Sequence, residues 1–560
     1  MPLSILIYST TNLIVFRHIA ELISGRELAR RLIEAEKQTR SGDSATLLNA
    51  LLVAGAVECA LADRDSSCAH QAAAITDFFS ALLVGTAPCK HTNLQSLFAA
   101  VTAALPDELR ISPPEGFSYY ALHPADFADA IATTPPAGPV AVIGIRSIGT
   151  VLSAVATAAL NRQGIPAARI TVRPTGHPFD RRTQFSESQS LWLDGKNKQL
   201  EKQHSTFLIV DEGPGLSGSS FLSVAEALTR HEVSPDRITL LGSRESAPEQ
   251  LCAADAANRW KRFRFLKAPS RICRRFSGSI ALSGGAWRSL LLGSDREWPA
   301  SWPEMERLKF LSHDQQHFLK FEGFGEIGEK VRERSKIIAS SGFGPNAEYA
   351  GDGMTSYKFT VGKPLSAADL NSEIIDRIAA YCAFRASTFV ATSRCADQLE
   401  EMATFNFSQE FDGKLSLPAG VLQPSRRLIQ DGRMNPQEWI RTLNGEILKV
   451  DASTHGDDHF LPGPTNIAWD LAGAIVEWKM DRDAQQFLIA KYRAQTGDDP
   501  SIRLPAYVLA YSIFRMAFCK TALHGTQVAS EKPRLQNAYH FYRSRTEIAC
   551  AENPALLAST

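Results

Sequence analysis

The segment that most limits the fold of this chain spans residues 207–220 and reads FLIVDEGPGLSGSS. Its apolar start predicts a buried strand, Asp211 and Glu212 follow directly, and a loop of small residues leads into a helix. The backbone N–H groups of such a loop, together with the helix amino terminus, bind phosphate. The carboxylates can accept hydrogen bonds from ribose hydroxyls, and Ser217, Ser219 and Ser220 add hydroxyl donors. The segment therefore predicts a sugar-phosphate site.

The residues around this segment, about 117–268, alternate short β-branched runs with helical runs. Strands are predicted at residues 139–145, 169–172, 207–210 and 237–241, with helices at residues 151–162 and 221–229. This alternation predicts a doubly wound parallel sheet with helices on both faces. Ligands of such sheets bind beyond the carboxyl ends of the strands, which is where the acidic pair falls.

Two more loops follow strands in this zone, GIRSIGT at residues 144–150 and RPTGHPFDRR at residues 173–182. The three loops, in this order, resemble those of the type I phosphoribosyltransferases. The resemblance implies phosphoribosyl pyrophosphate (PRPP) and Mg²⁺ as ligands, with residues 173–182 as a mobile loop over the site. It implies an acidic pair at Asp211 and Glu212, a phosphate loop at Ser217, Gly218 and Ser220, and a pyrophosphate loop at Arg146, Ser147 and Gly149.

A lysine stands inside an apolar strand at residues 318–321, FLKF. Because lysine is rarely buried without a partner, Lys320 requires a nearby anion. The helix predicted over about residues 326–340 supplies Glu329 or Glu333. Upstream, Gly284 and Gly285 form a glycine turn between strand-like runs that could cover nucleotide phosphates.

This order of elements resembles the aminoglycoside phosphotransferase and choline kinase group, which has a protein-kinase-like fold. In that group a strand lysine orients the ATP phosphates and pairs with a helix glutamate, which the resemblance places at Lys320 and Glu333. Residues 357–365 resemble the hinge that enters the helical lobe. The resemblance implies ATP as phosphoryl donor, Mg²⁺ as metal and a small hydroxylated metabolite as acceptor.

Two registers compete for the catalytic loop of this group. In the first, Asp431 is the base or positioner for the acceptor hydroxyl. A β-hairpin follows at residues 439–450, because the Asn-Gly pair at its centre is a strong hairpin signal. The hairpin leads to Asp451 as a Mg²⁺ ligand, and Glu438 or Asn435 supplies a second one.

In the second register, HGDDH at residues 455–459 is the catalytic loop and Asp457 is its aspartate. The letters match more literally, but no hairpin fits between this loop and Asp470, so we favour the first register. The same histidines and carboxylates could bind a transition metal ion, for which a solvated polar loop is the competing interpretation.

Composition excludes several broad classes of function. The 560 residues include 60 Lys plus Arg and 60 Asp plus Glu, and this balance argues against general nucleic-acid binding. The longest apolar run, residues 48–62, is too short to span a membrane and contains Glu58. Nine cysteines form no Cys-x-x-Cys pair, which leaves zinc and redox sites without support. We expect a cytoplasmic protein.

The chain is predicted to be an α/β multidomain protein. Residues 1–115 form a helical amino-terminal region, and residues 116–270 form the phosphoribosyltransferase-like domain. Residues 275–365 and 366–560 form the small lobe and the helical large lobe of a two-lobed α+β kinase-like domain. The amino-terminal region carries no recognisable chemistry, so three roles stay open for it: capping the sheet, forming a homodimer or shaping the acceptor site.

Two functions are compatible with these motifs. One is a bifunctional enzyme of nucleotide or sugar-phosphate metabolism, which transfers phosphoribosyl groups from PRPP and phosphorylates a hydroxylated metabolite with ATP. The other is a nucleotide or PRPP sensor fused to a small-molecule kinase. The second is motivated by one extra residue between the acidic pair and Ser217, compared with the family pattern.

Overall fold

Two β-sheets organise this protein, a parallel one in the middle of the chain and an antiparallel one after it. The computed structural model describes residues 12–17, 21–39, 42–86, 93–111, 114–195, 205–215, 217–391, 398–424 and 426–558. Helices from the amino-terminal zone cover one face of the parallel sheet, and helices from the carboxyl-terminal zone form a lobe of their own.

The amino-terminal zone is helical, as predicted, and a two-stranded antiparallel ribbon joins its two ends. Helix α2 is apolar on all sides, and among the described helices it alone has the length and hydropathy to cross a membrane. However, 61% of that stretch is buried inside the protein, as in the core helix of a globular domain. The elements are β1 (Glu21–Ser24), α1 (Gly25–Thr39), α2 (Ser44–Ala62), α3 (Ala69–Leu83), α4 (Leu94–Ala104), β2 (Glu108–Ile111), α5 (Glu115–Tyr119) and α6 (Ala125–Thr133).

The middle zone contains the predicted parallel sheet, whose strand order is β4-β3-β7-β8-β9. Helix α7 packs on one face and α9 on the other, and an antiparallel hairpin, β5–β6, follows β4. The elements are β3 (Val140–Ile145), α7 (Ile148–Arg162), β4 (Ala167–Val172), β5 (Thr175–His177), β6 (Asp180–Arg182), α8 (Glu187–Leu193), β7 (Thr206–Val210), α9 (Ser219–Arg230), β8 (Ile238–Gly242), α10 (Ala256–Trp260) and β9 (Arg264–Lys267).

A buried ion pair joins helix α2 to this sheet. Arg169 of β4 donates to both carboxylate oxygens of Glu58, at 2.7 and 2.8 Å, and both side chains are at most 4% exposed. Asp77 of α3 also accepts from Arg169, at 2.6 Å. The single charge in the apolar run of α2 is therefore compensated by the sheet edge on which the helix packs.

The carboxyl-terminal zone contains a five-stranded antiparallel sheet of order β10-β11-β12-β14-β13 and a separate three-stranded sheet of order β15-β16-β17. The predicted hairpin is present, because β16 pairs with β17 and Gly445 adopts a positive φ of 87° at the turn. The elements begin with α11 (Arg271–Arg275), β10 (Ile280–Ala281), α12 (Trp287–Leu291), β11 (Lys309–Leu311), β12 (His317–Phe321), α13 (Gly325–Ser340), β13 (Ala347–Gly351), β14 (Met354–Lys358) and β15 (Gly362–Pro364). They continue with α14 (Ser372–Thr388), α15 (Leu399–Glu410), β16 (Trp439–Thr442), β17 (Ile447–Lys449), α16 (Ala468–Glu477), α17 (Arg482–Thr496), α18 (Leu504–Gly525) and α19 (Lys532–Glu552).

The antiparallel sheet packs against the middle zone as well as against the large lobe. Phe310, Leu319 and Phe321 belong to the same apolar core as the amino-terminal helices and one face of the parallel sheet. The large lobe has its own core, centred on α14, α16 and α18. The antiparallel sheet therefore lies between the middle zone and the large lobe.

Candidate active site

A cleft of about 1270 Å³ lies between the lobes of the carboxyl-terminal zone. Side chains from the antiparallel sheet, from α18 and from α19 line it. A smaller slot of about 140 Å³ adjoins the cleft, and its apolar lining includes Phe318, Phe359 and Ile440. Lys320 and Asp451 lie in the wall that the slot and the cleft share.

Lys320 is buried in β12 and is bound to Asp451. Its ammonium group donates to the Asp451 carboxylate and, at 2.7 Å, to Thr454 Oγ1. Lys309, its cross-strand neighbour on β11, lies 3.6 Å from the same carboxylate. Burial disfavours the charge on Asp451, but the two lysines outweigh it and hold the pKa of this carboxyl well below its usual value. The prediction that Lys320 requires an anion is thus confirmed.

The predicted partner of Lys320, Glu333, is wrong, and so is its alternative Glu329. Both glutamates are exposed on α13, whereas Arg334 is buried and forms an ion pair with Asp457 at 2.6 Å. One residue on a helix corresponds to a turn of about 100°, so Glu333 cannot share the inward direction of Arg334. The anion comes from the other lobe instead.

Asp431 does not face the cleft, which contradicts its predicted role as base. Its side chain is fully buried, and its carboxylate accepts from Tyr381 Oη at 2.5 Å, from the Arg433 amide at 3.1 Å and from Lys449 Nζ. Asp470 accepts from the amides of Asp431 and Gly432, at 2.8 and 2.9 Å. Asp431 therefore anchors the loop that carries Arg433 into the cleft.

The second register also fails in its literal form, because Asp457 is held by Arg334 at 3.0 and 2.6 Å. The next residue, Asp458, lines the cleft and accepts from the Phe460 amide at 2.8 Å. Burial raises the pKa of Asp458 to about 6, although Arg433 and Arg307 oppose the shift. Asp458 is the carboxylate that this loop presents to the cleft.

The glycine turn at Gly284 and Gly285 is present, but it is already bonded. Both residues have positive φ, 65° and 81°, and the Gly285 amide donates to Glu306 Oε2 at 3.0 Å. The residues that line the slot and the cleft do not include either glycine. The prediction that this turn covers nucleotide phosphates is therefore wrong, because the Glu306 carboxylate occupies the place of the anion.

The two predicted metal ligands, Asp451 and Glu438, both line the slot and the cleft. Glu438 also accepts from Lys449 Nζ at 2.8 Å, and burial raises its pKa. No cluster of three or more metal-ligating side chains occurs in the part of the chain that the structure describes. A Mg²⁺ ion that is also bound by phosphate groups needs only one or two protein carboxylates, and the residues present fit such an ion.

A second polar site lies at the carboxyl end of β7, where Asp211 and Glu212 follow the strand. Burial raises the pKa of Asp211 to about 8, and it also raises the pKa of Glu212, which Arg244 opposes from 3.6 Å. Gly149 lies against this strand end, since a Cβ there would be 2.5 Å from the Val210 carbonyl oxygen. The first turn of α7, directly after the β3 loop, therefore contacts the end of β7.

The hairpin β5–β6 closes over the predicted phosphate loop. Ser217 and Ser219 both donate from Oγ to the Pro178 carbonyl oxygen, at 2.8 and 2.5 Å. Gly218 caps α9 with a positive φ of 68°, and Ser220 is the second residue of that helix. Two of the three hydroxyls predicted to bind phosphate are therefore engaged by the segment predicted to cover the site.

The predicted pyrophosphate partner, Arg146, is directed elsewhere. Its guanidinium donates to the Ala62 carbonyl oxygen at 2.9 Å and to Asp63 at 3.2 Å, at the carboxyl end of α2. Arg146 thus secures the amino-terminal helices rather than a ligand, because α2 supplies acceptors that the sequence does not reveal. Ser147, next to it, adopts φ 97° and ψ −108°, a strained conformation of the kind found in ligand-binding loops.

Tyr120 lies between the two polar sites. Its hydroxyl lies 3.0 Å from His459 Nε2, next to Asp458 in the cleft. On the other side, the Arg244 guanidinium lies over the Tyr120 ring, 6.0 Å from its centroid, and also faces Glu212. One side chain therefore separates the carboxylates of the sheet from the wall of the cleft.

The sequence analysis did not single out Arg307, Lys309 or Arg433, and it considered Asp458 only as a possible metal ligand, whereas all four side chains line the cleft. Asp458 and Lys309 carried usable signals. Asp458 is one of the two aspartates of HGDDH. Lys309 stands in an apolar strand, as Lys320 does. The two arginines carried none, since both occur in polar stretches that read as surface.

Comparison with profiles of known families and with curated proteins finds no match to this chain. Among solved structures, it is similar to a choline kinase from Streptococcus pneumoniae (13% identity, 42% of this chain and 89% of that chain, TM-score 0.30). It is also similar to a choline/ethanolamine kinase family protein from Mesorhizobium loti (14%, 47% and 94%, 0.31). A third is an aminoglycoside phosphotransferase from Alicyclobacillus acidocaldarius (12%, 44% and 89%, 0.30). Each match covers less than half of this chain.

Proposed function

We propose that the cleft between the lobes transfers the γ-phosphoryl group of ATP to a hydroxyl group of a small metabolite. The observation that carries this proposal is the buried ion pair of Lys320 with Asp451, in the wall shared by an apolar slot and a large polar cleft. A lysine and a carboxylate from opposite lobes, beside a slot sized for a base, form the arrangement that phosphoryl transfer from a nucleotide requires.

Each group in this wall has a distinct task in the proposal. The slot between Phe318 and Ile440 holds the adenine, and Lys320 orients the phosphates. Asp451 and Glu438 hold Mg²⁺, which when bound neutralises phosphate charge. Catalysis of this kind consists mainly of positioning and charge stabilisation, and such groups are available at the shared wall.

Asp458 takes the role that the sequence suggested for Asp431. The acceptor oxygen forms a bond to the γ-phosphorus, ADP leaves with the bridging oxygen, and the hydroxyl proton passes to the Asp458 carboxylate. With a pKa of about 6, this carboxylate is mostly ionised at neutral pH and is basic enough to accept the proton.

Binding of ATP with Mg²⁺, measured by isothermal titration calorimetry, tests the nucleotide site. Lys320→Met is expected to weaken binding about 10- to 100-fold, the usual cost of a lost charged hydrogen bond. Lys330→Met is the matched control, because Lys330 is an exposed lysine on α13 that lines neither the slot nor the cleft. Equal binding by the wild-type protein and both variants would contradict the assignment of the slot.

The pH dependence of turnover follows from Asp458. Protonation of the carboxyl removes the base, so kcat is expected to fall about tenfold per pH unit as the pH drops below about 6. Asp458→Asn is expected to lower kcat about 10²- to 10⁴-fold and to abolish this acidic limb. The profile is measured at saturating ATP and Mg²⁺. An acidic limb that persists unchanged in Asp458→Asn would assign the titration to another group.

A second activity is favoured by the way the first turn of α7 contacts the end of β7. The contact of Gly149 with the strand that leads to Asp211 is what a PRPP site needs, since it brings a phosphate loop to the acidic pair. We propose that this site binds PRPP or a related ribose phosphate. Release of pyrophosphate that disappears in Asp211→Asn with Glu212→Gln would establish transfer, whereas binding without release would establish a sensor.

A further inference from the structure

Two arginines that line the cleft have no carboxylate partner. Arg307 is 9% exposed, and Arg433 is half-buried. Neither guanidinium has a carboxylate within 4.0 Å among the described residues, although the cleft contains several acids. Arg307 donates only to the Ser118 carbonyl oxygen, at 3.2 Å, and lies 4.9 Å from the centroid of the Tyr119 ring.

The neighbouring carboxylates are already engaged by other cations. Asp451 is bound by Lys320 and Lys309, and Glu438 is bound by Lys449. Asp458 is the carboxylate on which both arginines act, since each opposes the rise of its pKa, so one carboxylate faces two guanidinium groups. One carboxylate facing two desolvated cations leaves positive charge uncompensated, which is costly, so Arg307 and Arg433 favour a further anion that the described chain does not supply.

His459, which also lines the cleft, is subject to the same excess of positive charge. Burial, with Arg307 and two further arginines, lowers the pKa of His459 to about 3, so the ring is neutral. Its Nε2 meets Tyr120, while its Nδ1 has no hydrogen-bond partner among the described residues. A buried polar atom without a partner, at 4% exposure and in the wall of the cleft, is what a ligand would satisfy.

The nucleotide does not account for both arginines. Arg433 lines the slot as well as the cleft and can reach the phosphates of ATP, whereas Arg307 lines the cleft alone. Arg307 lies on the acceptor side, with Asp458, His459 and the aromatic rings of Tyr119 and Phe460.

We infer that the phosphoryl acceptor is itself an anion, a hydroxylated metabolite whose phosphate or carboxylate group is bound by Arg307 and Arg433. This inference rests on the proposed phosphotransfer and narrows its acceptor. The anionic group binds the two arginines, the hydroxyl group faces Asp458, and the carbon skeleton packs on the aromatic rings. Arginine suits this task because its planar fork matches phosphate and carboxylate oxygens.

The binding test uses glycerol 3-phosphate and glycerate as anionic probes and glycerol and choline as neutral and cationic probes, with no nucleotide present. Dissociation constants are compared for the wild-type protein, Arg307→Gln, Arg307→Lys and Arg296→Gln. Arg296 is the matched control, because it is an exposed arginine at the rim of the same cleft. Circular dichroism verifies that each variant is folded.

The expected result is that an anionic probe binds at least tenfold more tightly than glycerol or choline. Arg307→Gln should lose this preference, Arg307→Lys should recover part of it, and Arg296→Gln should keep it. Preference for glycerol 3-phosphate over glycerate identifies phosphate as the group, and the reverse identifies carboxylate. No preference for anions, or equal affinity in the wild-type protein and Arg307→Gln, would overturn the inference. The proposed phosphotransfer fails separately, if the protein binds no ATP or if ATP transfers no phosphate to any of the four probes.

Discussion

Asp451→Asn is expected to lower kcat about 10²- to 10³-fold while the KM for ATP changes much less. The substitution keeps the shape of the side chain but removes the charge that Lys320 and Lys309 share. In the proposal Asp451 holds the Mg²⁺ that neutralises phosphate charge, and loss of such support affects the transition state more than the ground state, by about this much for one group. Steady-state kinetics measure kcat and the KM for ATP, with the best phosphoryl acceptor among the four probes as second substrate.

Glu329→Gln is the matched control for this prediction. It removes one carboxylate from α13, where the side chain is exposed and lies away from the cleft. Its kcat should equal that of the wild-type protein. If Asp451→Asn were to retain full kcat, the ion pair with Lys320 would be structural and the proposed site would be wrong.

Glu58→Ala is expected to destabilise the middle zone by about 3–5 kcal/mol. The substitution leaves Arg169 buried between α2, α3 and β4 with Asp77 as its remaining carboxylate partner. Removing one partner of a buried ion pair leaves much of the desolvation cost of the other uncompensated, which is why the effect is large. Equilibrium urea unfolding, followed by far-ultraviolet circular dichroism, measures the shift in the first transition.

Glu27→Ala is the surface counterpart of this substitution. Glu27 binds Arg30 and Arg31 on the exposed side of α1, where an ion pair contributes at most about 1 kcal/mol. A double substitution, Glu58→Leu with Arg169→Leu, should recover much of the lost stability, since it removes both charges. If Glu58→Ala were to lower the free energy of unfolding as little as Glu27→Ala does, water would have to reach the Glu58–Arg169 pair, and the prediction would be wrong.

The sequence predicted the parts of this fold that depend on local pattern. Strand β7 and the helix after it follow from an apolar run and a loop of small residues, and the hairpin β16–β17 follows from Asn444 and Gly445. The rule that a buried lysine needs an anion was sufficient to single out Lys320. Each of these signals depends on residues that are close together in the chain, so a single stretch of sequence contains the whole signal.

The predictions that failed depend on contacts between residues far apart in the chain. In the sequence Asp431 resembles a catalytic base, but in the fold Tyr381 of α14 donates a hydrogen bond to its carboxylate. In the sequence Arg146 resembles a phosphate ligand, but in the fold its guanidinium donates hydrogen bonds to acceptors at the end of α2. A single sequence shows which side chains can ionise, but it does not show which neighbours the fold brings to them.

The position of Tyr120 has a thermodynamic consequence. A ligand at Glu212 that displaces Arg244 changes what lies over the Tyr120 ring, and the hydroxyl of that ring lies against His459 in the cleft. If a ligand at one site changes the affinity of the other site through such a displacement, the second ligand changes the affinity for the first by the same factor, because linkage between two binding sites is reciprocal. The proposed sugar-phosphate site and the proposed acceptor site would then change one another's affinity through a single aromatic side chain.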